Sequence, residues 1–287
     1  MGKLFAYARL FRIEHAVLLA VAVLLSEALV SNAYEIPFPA LSIVLLSLAV
    51  PVFIEMASFS LNDYLDIKSD KENKRNDRPL VTGQISPKNA IYASGAFYLL
   101  GILAAVPLPA AALFIAIVFA ALSIAYNYKL KEMPLIGNLY IALSMAIPFI
   151  FGNLVVSDSI YLPLLAIAGV ALVAGLGREI IKSAEDVKGD VLHRKAKTLP
   201  AIIGTKSSCY AAVACYFVLV PICLLPFSYG LPINILAAGL VLLSAISFAA
   251  IGIMIAKSHE QKTLKAARKA SLLGLAVGLA GYAASLI

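Results

Sequence analysis

Apolar stretches of membrane-spanning length recur along almost the whole chain, roughly at 13–33, 38–61, 89–106, 109–128, 135–155, 159–177, 208–227, 231–256 and 267–286. No other feature restricts the fold as much. Inside a hydrocarbon layer every backbone N–H and C=O must find a partner within the protein, so apolar segments of about twenty residues are helices. Of the 287 residues 62% are hydrophobic and only 14% are charged, which excludes a soluble domain of this length. The joints between segments are short and carry turn residues, as at Leu108-Pro109 and Gly230-Leu231-Pro232. With no long linker, the expectation is an all-α fold, a single polytopic membrane bundle of about nine transmembrane helices with cytoplasmic loops over a central cavity. The first span is too long for the apolar core of a cleavable signal peptide and lacks a small-x-small exit. Cys209, Cys215 and Cys223 share one apolar span with neither zinc-site nor disulfide-framework spacing, so they read as small buried residues.

The net charge of +7 raises nucleic acid as a partner, and its placement argues against it. When the spans are threaded in order from an inside N-terminus, all 23 lysines and arginines fall on one side. They are Lys3, Arg9 and Arg12, the 68–88 loop, Lys129 and Lys131, the 178–206 loop and the 257–269 loop. The loops near 34, 107, 157 and 229 carry none. This is the positive-inside pattern of a multi-pass cell-membrane protein, with the N-terminus and basic loops cytoplasmic and, after nine spans, the C-terminus outside. Basic loops at that surface also favour anionic lipid headgroups. No phosphate-binding glycine loop opens a helix, Gly175-x-Gly177 being too little, and no basic stretch is interleaved with aromatics for RNA or DNA.

The informative polar residues stand at the ends of two spans. Residues 62 to 79 bring Asn62, Asp63, Asp66 and Asp70 beside Lys71, Lys74, Arg75 and Arg78 at the end of span two. Asn62, Asp66 and Asp70 are spaced i, i+4, i+8, so a continuing helix puts them on one face, with Asp63 about a quarter-turn away. Asp186 and Asp190, also i, i+4, follow Arg178 and Lys182 at the end of span six. Oxygen ligands on facing helices suit magnesium, which shares its coordination with waters and substrate phosphates. Each cluster alone also fits a solvated helix end. Two clusters at matching ends on one side favour a site for a divalent metal and a phosphorylated ligand.

Asn62-Asp63-x-x-Asp66-x-x-x-Asp70 resembles the first aspartate-rich motif of the UbiA-type intramembrane prenyltransferases, and Asp186-x-x-x-Asp190 resembles the second. Arg78-Pro79-Leu80-Val81-Thr82-Gly83-x-Ile85-Ser86 is similar to the segment that follows the first motif. The likeness extends over nearly the whole chain, as a single prenyltransferase domain spanning 1–287. Arg178-Glu179-Ile180-Ile181-Lys182 and Lys195-Ala196-Lys197-Thr198-Leu199-Pro200 look most like the archaeal subgroup that adds the second isoprenoid chain of the ether lipids.

The resemblance implies a polyprenyl diphosphate donor, geranylgeranyl diphosphate, and an isoprenoid glycerol phosphate acceptor, the free alcohol of geranylgeranylglyceryl phosphate. It implies two magnesium ions, held with the diphosphate by Asn62, Asp66 and Asp70 and by Asp186 and Asp190. Asp66, Asp186 and Asp190 are then catalytic as well as metal ligands. Asp63, off the metal face, is a candidate to relay a proton or orient a basic side chain. Arg78 and Lys129, then Lys131, Lys182 and Arg75, are candidates for the diphosphate. The family's Tyr-x-x-x-Lys after span four is replaced by Tyr126-Asn127-Tyr128-Lys129-Leu130-Lys131, where Tyr126 matches the tyrosine and the lysine is open between two positions.

For the acceptor the candidates are Arg12, His15 and Glu55. Arg12 equally reads as a topology-setting charge, His15 as structural, and Glu55, two turns before Asn62, as a buried hydrogen-bonded acid. Glu27, late in span one, reads as snorkelling or paired with a polar neighbour. Asn138 reads as lining the cavity or capping a helix. Three rivals stand beside the ether-lipid reading, the first of them inside the same prenyltransferase class. Transfer to an aromatic ring, as in quinone biosynthesis, keeps the donor site. A cation-coupled transporter would bind at the midplane on broken helices, whereas these acids crowd span ends. Headgroup transfer from a nucleotide-activated donor needs a Gly-Ala-Arg-rich signature between its acids, which this chain lacks.

Overall fold

Helix α1 (Lys3–Phe11) is a short leader, followed by α2 (Ile13–Ala33), α3 (Leu41–Leu65), α4 (Ile67–Glu72), α5 (Pro87–Ala105), α6 (Ala110–Tyr128), α7 (Ile136–Val156) and α8 (Leu162–Gly189). The chain ends through α9 (Leu199–Ile203), α10 (Thr205–Ile222), α11 (Leu225–Ser228), α12 (Ile235–Lys257) and α13 (Gln261–Ala283). The structure is a computed structural model that describes residues 2–72, 75–189 and 198–287, and these contain no strand.

Among the described residues eight helices are long and apolar enough to cross a membrane: α2, α3, α6, α7, α8, α10 with α11, α12 and α13. The span expected at 89–106 is α5, which falls below that apolarity because its first turn is Pro87-Lys88-Asn89. That turn is a built helix start: Ser86 accepts the backbone N–H of Asn89 at 3.2 Å and Pro87 takes the first position. Helix α5 still traverses the bundle. The C-terminal ends of α3 and α6 meet through Asn62 and Asn127, so the helix between them runs the opposite way.

Two groups of helices share the chain. Helices α2, α3, α5, α6 and α7 form one, around Val23, Val50, Ile54, Ala112 and Phe151. Helices α8, α10, α12 and α13 form the other, around Ile181, Tyr216, Phe248 and Leu264. The α7–α8 pair joins them. Lipid supplies no hydrophobic drive between helices, so close approach and hydrogen bonds do the joining. At Gly152 on α7 a Cβ would lie 2.7 Å from the Val23 carbonyl oxygen of α2, so only glycine lets these backbones meet. Ser94 of α5 donates to the Ala57 carbonyl of α3 at 2.9 Å, and Ser244 of α12 to the Gly274 carbonyl of α13 at 2.7 Å. Such bonds contribute about 0.6 kcal/mol each in a bilayer. Outward positions such as Leu99, Phe114, Ile235 and Leu273 are exposed apolar side chains, as a lipid-facing surface requires.

Glu27 departs from one of its two expected readings. It is fully buried in α2 and so does not snorkel; the Ser47 side chain of α3 lies near its carboxylate, without a hydrogen bond to it among the described residues. The Ser47 hydroxyl of α3 donates to the Val44 carbonyl of its own helix at 2.8 Å instead.

Candidate active site

A cavity of about 740 Å³ opens between α2, α3, α6, α7, α8 and α13. Its walls change character with depth. At the ends of α3 and α8 and the starts of α2 and α13 they carry Arg12, Asn62, Asp66, Lys182, Asp186 and Arg268; deeper they become Leu18, Leu19, Met145, Phe149, Leu275 and Leu279.

The first acidic cluster keeps its helical register through a break. Helix α3 stops at Leu65 and α4 starts at Ile67, yet Asp66 N–H donates to the Asn62 carbonyl at 2.9 Å and Asp70 N–H to the Asp66 carbonyl at 2.8 Å. Asn62, Asp66 and Asp70 thus follow one another by single turns and line the cavity. The Asn62 amide nitrogen donates to Asn127 Oδ1 at 3.0 Å, which leaves the Asn62 side-chain oxygen available. Asn127 is itself fixed by donating to Ser58 Oγ at 3.1 Å and the Ser123 carbonyl at 2.9 Å.

Asp63 faces the other way, as the quarter-turn offset predicts. It is 1% exposed and does not line the cavity. Its Oδ1 accepts from Arg12 Nη2 and Arg78 Nη1, both at 2.9 Å. The two arginines do line the cavity, so of the two roles offered for Asp63 the contacts match the orienting of basic side chains. Each arginine is held by its backbone as well. Arg12 sits at φ 47° in the kink between α1 and α2, with its guanidinium 4.0 Å from the Phe59 ring centroid. Burial and the nearby Arg78 push Arg12 below its ordinary value, against the opposing pull of Asp63. Arg78 lies in a turn anchored by Leu80 and Ile85, both buried under α1, and closed by Gly83 at φ 74°.

Of the two lysines left open by the sequence, one reaches the cavity. Lys131 lines the cavity, with Nζ 2.7 Å from Asp66 Oδ1. Lys129 is exposed and absent from the cavity wall; the 3-10 turn Leu130–Glu132 swings the chain between the two. Tyr126 lines the cavity and stacks on Tyr140 at 4.7 Å. Arg75 lines it too, with Nε 3.3 Å from Asp77 Oδ1.

The second cluster rides on α8, which continues unbroken to Gly189. Arg178 Nη1 bonds Glu179 Oε1 at 2.8 Å and Lys182 Nζ lies 3.4 Å from Glu179 Oε2. Glu185 receives Arg268 Nε of α13 at 2.8 Å. Asp186 lines the mouth of the cavity. Asp190 lies outside the described residues. Asn138 lines the cavity and donates to the Glu179 carbonyl at 3.0 Å and Ser183 Oγ at 2.8 Å, tying α7 to α8. His15 and Glu55 line it as well.

Sequence reasoning missed Asn127, Glu179, Glu185, Gln261 and Arg268 as cavity residues. For Asn127 the available signal was a polar residue within an apolar span. For Arg268 there was none, because which basic side chain reaches the site depends on how α13 returns to α8.

The two acidic clusters offer only oxygen donors, which fits magnesium. Among the described residues no three His, Cys, Asp or Glu side chains form a closed cage. The donors instead line one cavity from α3–α4 and from α8, as suits ions completed by a ligand's phosphates.

Fold and site together define an integral-membrane enzyme class whose substrate has an anionic head and a long apolar tail. The UbiA prenyltransferase family profile matches residues 13–275, and the chain belongs to that family. The digeranylgeranylglyceryl phosphate synthase of Archaeoglobus fulgidus is 33% identical, over 95% of this chain and 92% of the relative. A solved digeranylgeranylglyceryl phosphate synthase superposes with a TM-score of 0.78 at 26% identity, covering 100% of this chain and 99% of that one. A UbiA homolog from Archaeoglobus fulgidus bound to GPP and Mg2+ shares the fold, with a TM-score of 0.69 at 19% identity over 96% of this chain and 99% of that one.

Proposed function

We propose that this protein transfers the geranylgeranyl group of geranylgeranyl diphosphate to the free hydroxyl of geranylgeranylglyceryl phosphate, releasing diphosphate. The observation that carries this reading is the single cavity in which both aspartate-bearing helix ends and their basic neighbours stand over an apolar floor. The full-length likeness to a digeranylgeranylglyceryl phosphate synthase supports the choice of acceptor.

Asn62, Asp66, Asp70 and Asp186, with Asp190, would hold magnesium, which would neutralise the diphosphate and the charge that develops as the allylic C–O bond breaks. Arg75, Arg78, Lys131 and Lys182 hold the diphosphate oxygens, and Tyr126 borders them. The Asp63 carboxylate keeps Arg78 and Arg12 pointed inward before substrate arrives, so little reorganisation is needed. The isoprenoid chains lie along Leu18, Leu19, Phe149, Leu275 and Leu279. Arg12, with His15, is placed to take the acceptor phosphate. The hydroxyl oxygen bonds to C1 of the donor, and the electron pair of the broken C–O bond leaves with diphosphate. The whole chain acts as one domain. The site end of the bundle faces the cytoplasm with the N-terminus, and the C-terminus faces outside, because all basic loops gather at the site end.

The test is a substrate-pair assay on purified protein in lipid, with labelled geranylgeranyl diphosphate, magnesium and either geranylgeranylglyceryl phosphate or 4-hydroxybenzoate. A di-isoprenyl ether that disappears with EDTA is the expected product. Transfer to the aromatic acid instead would overturn the acceptor and keep the donor site.

A further inference from the structure

The reaction removes a proton from the acceptor hydroxyl, and most acids of the cavity are committed elsewhere. Asp66 is paired with Lys131, Glu179 with Arg178 and Lys182, and Glu185 with Arg268. An acid held by a cation is a poor proton acceptor, because the ion pair favours its charged form. Asp70 and Asp186 belong to the metal-facing sets. Glu55 differs from all of these. It lines the cavity, yet among the described residues it makes no hydrogen bond and no salt bridge. It lies seven residues before Asn62 on α3, about 10 Å deeper along the helix axis. That depth is where the polar mouth gives way to the apolar floor, beneath the level at which a diphosphate would sit. The charged or titratable groups near enough to act on it electrostatically are Arg12 from the α1–α2 kink, Tyr98 from α5 and Tyr140 from α7, and Ser58, three residues on along α3, lines the same cavity. None of them is a second acid.

We infer that Glu55 is the general base of the transfer: its carboxylate takes the proton of the glycerol hydroxyl as that oxygen bonds to C1 of the donor. This rests on the ether-lipid reading above. One C–O bond forms, one breaks with its electron pair leaving on diphosphate, and the proton passes from the hydroxyl to Glu55 and then to water as products depart. The arrangement has a physical logic. The carboxylate stands at the border of the polar mouth and the apolar floor, and the hydroxyl is brought to it only when the isoprenoid chains are seated.

The experiment measures ether formation against pH for wild type, Glu55→Gln, Glu55→Asp and His15→Gln. In parallel it measures release of diphosphate from geranylgeranyl diphosphate without acceptor. The expected result for Glu55→Gln is a fall in kcat of about 10²- to 10⁴-fold, the usual span of general-base loss. Donor KM and acceptor-independent diphosphate release should stay near wild type, which shows a folded donor site. The acid limb of the wild-type pH profile should vanish in Glu55→Gln, while Glu55→Asp recovers part of the rate with a shifted limb. Glu55→Gln with wild-type kcat, or with lowered kcat and an unchanged acid limb, overturns the inference. So does loss of the limb in His15→Gln instead. Wild-type protein that makes no ether with this acceptor would sink the ether-lipid reading itself, an outcome distinct from any of these.

Discussion

The two acidic clusters face one cavity but are braced in different ways. The first, at the end of α3, draws its cations from three separate elements: Arg12 from the α1–α2 kink, Arg78 from the loop before α5, and Lys131 from the turn before α7. Among the described residues the second, on α8, is braced largely within its own helix, through Arg178 and Lys182 on Glu179, with Arg268 as the visitor from α13. Burial follows the same division. Asp63, Asp66 and Asp70 are all at or below 7% exposure, whereas Asp186 is exposed at the cavity mouth. Among the described residues the first cluster therefore doubles as a structural junction, whereas Asp186 of the second stands open at the cavity mouth.

The largest expected effect is shared by both clusters and would break the comparison if it were not. Asp66→Ala and Asp186→Ala should each lower kcat by at least about 10²- to 10³-fold, since each removes charge stabilisation at the leaving group. Steady-state turnover with saturating magnesium checks this, and near-normal activity in either would remove that residue from the metal set. The next effect should separate the clusters. Asp63→Asn leaves two inward-facing arginines without their buried acid, and breaking such a pair costs about 3 kcal/mol or more. The midpoint of denaturant unfolding in detergent should fall accordingly, and an unmoved midpoint would deny the junction role.

Smaller effects sharpen the picture. Lys131→Ala should raise donor KM about tenfold, the loss of roughly one charge-assisted hydrogen bond, whereas Lys129→Ala should leave KM within about twofold. Equal effects would mean that the turn after α6 does not select between them. Arg268→Ala should cost about 1 kcal/mol or less of stability, because its pair with Glu185 is partly solvated. A loss as large as that of Asp63→Asn would show the second cluster to be a junction as well.

Much of this architecture is legible in the order of residues along the chain. Segment length and apolarity alone place the helices, because a bilayer admits no other way to satisfy the backbone. The register of Asn62, Asp66 and Asp70, and the turning away of Asp63, follow from 3.6 residues per turn and survive even the break at Asp66. Helix α5 is legible as a segment, although its polar first turn leaves it less apolar than its neighbours.

The partners of the charges are not legible in that way. Lys129 and Lys131 are two residues apart and chemically alike, and only a 3-10 turn decides that Lys131 meets Asp66. Arg268 is 83 residues from Glu185, and no local pattern links them. Nothing near Glu27 in the chain foretells that its carboxylate is buried without a hydrogen-bond partner among the described residues. The spans, the side on which the basic residues gather and the faces of the two aspartate motifs are written locally into the chain. They are consequences of hydrocarbon thickness, loop charge and helical pitch, each set within one segment. Which cation neutralises which acid, and which acid is left over, is fixed by the packing of the helices, because an ion pair depends on where distant segments bring their side chains.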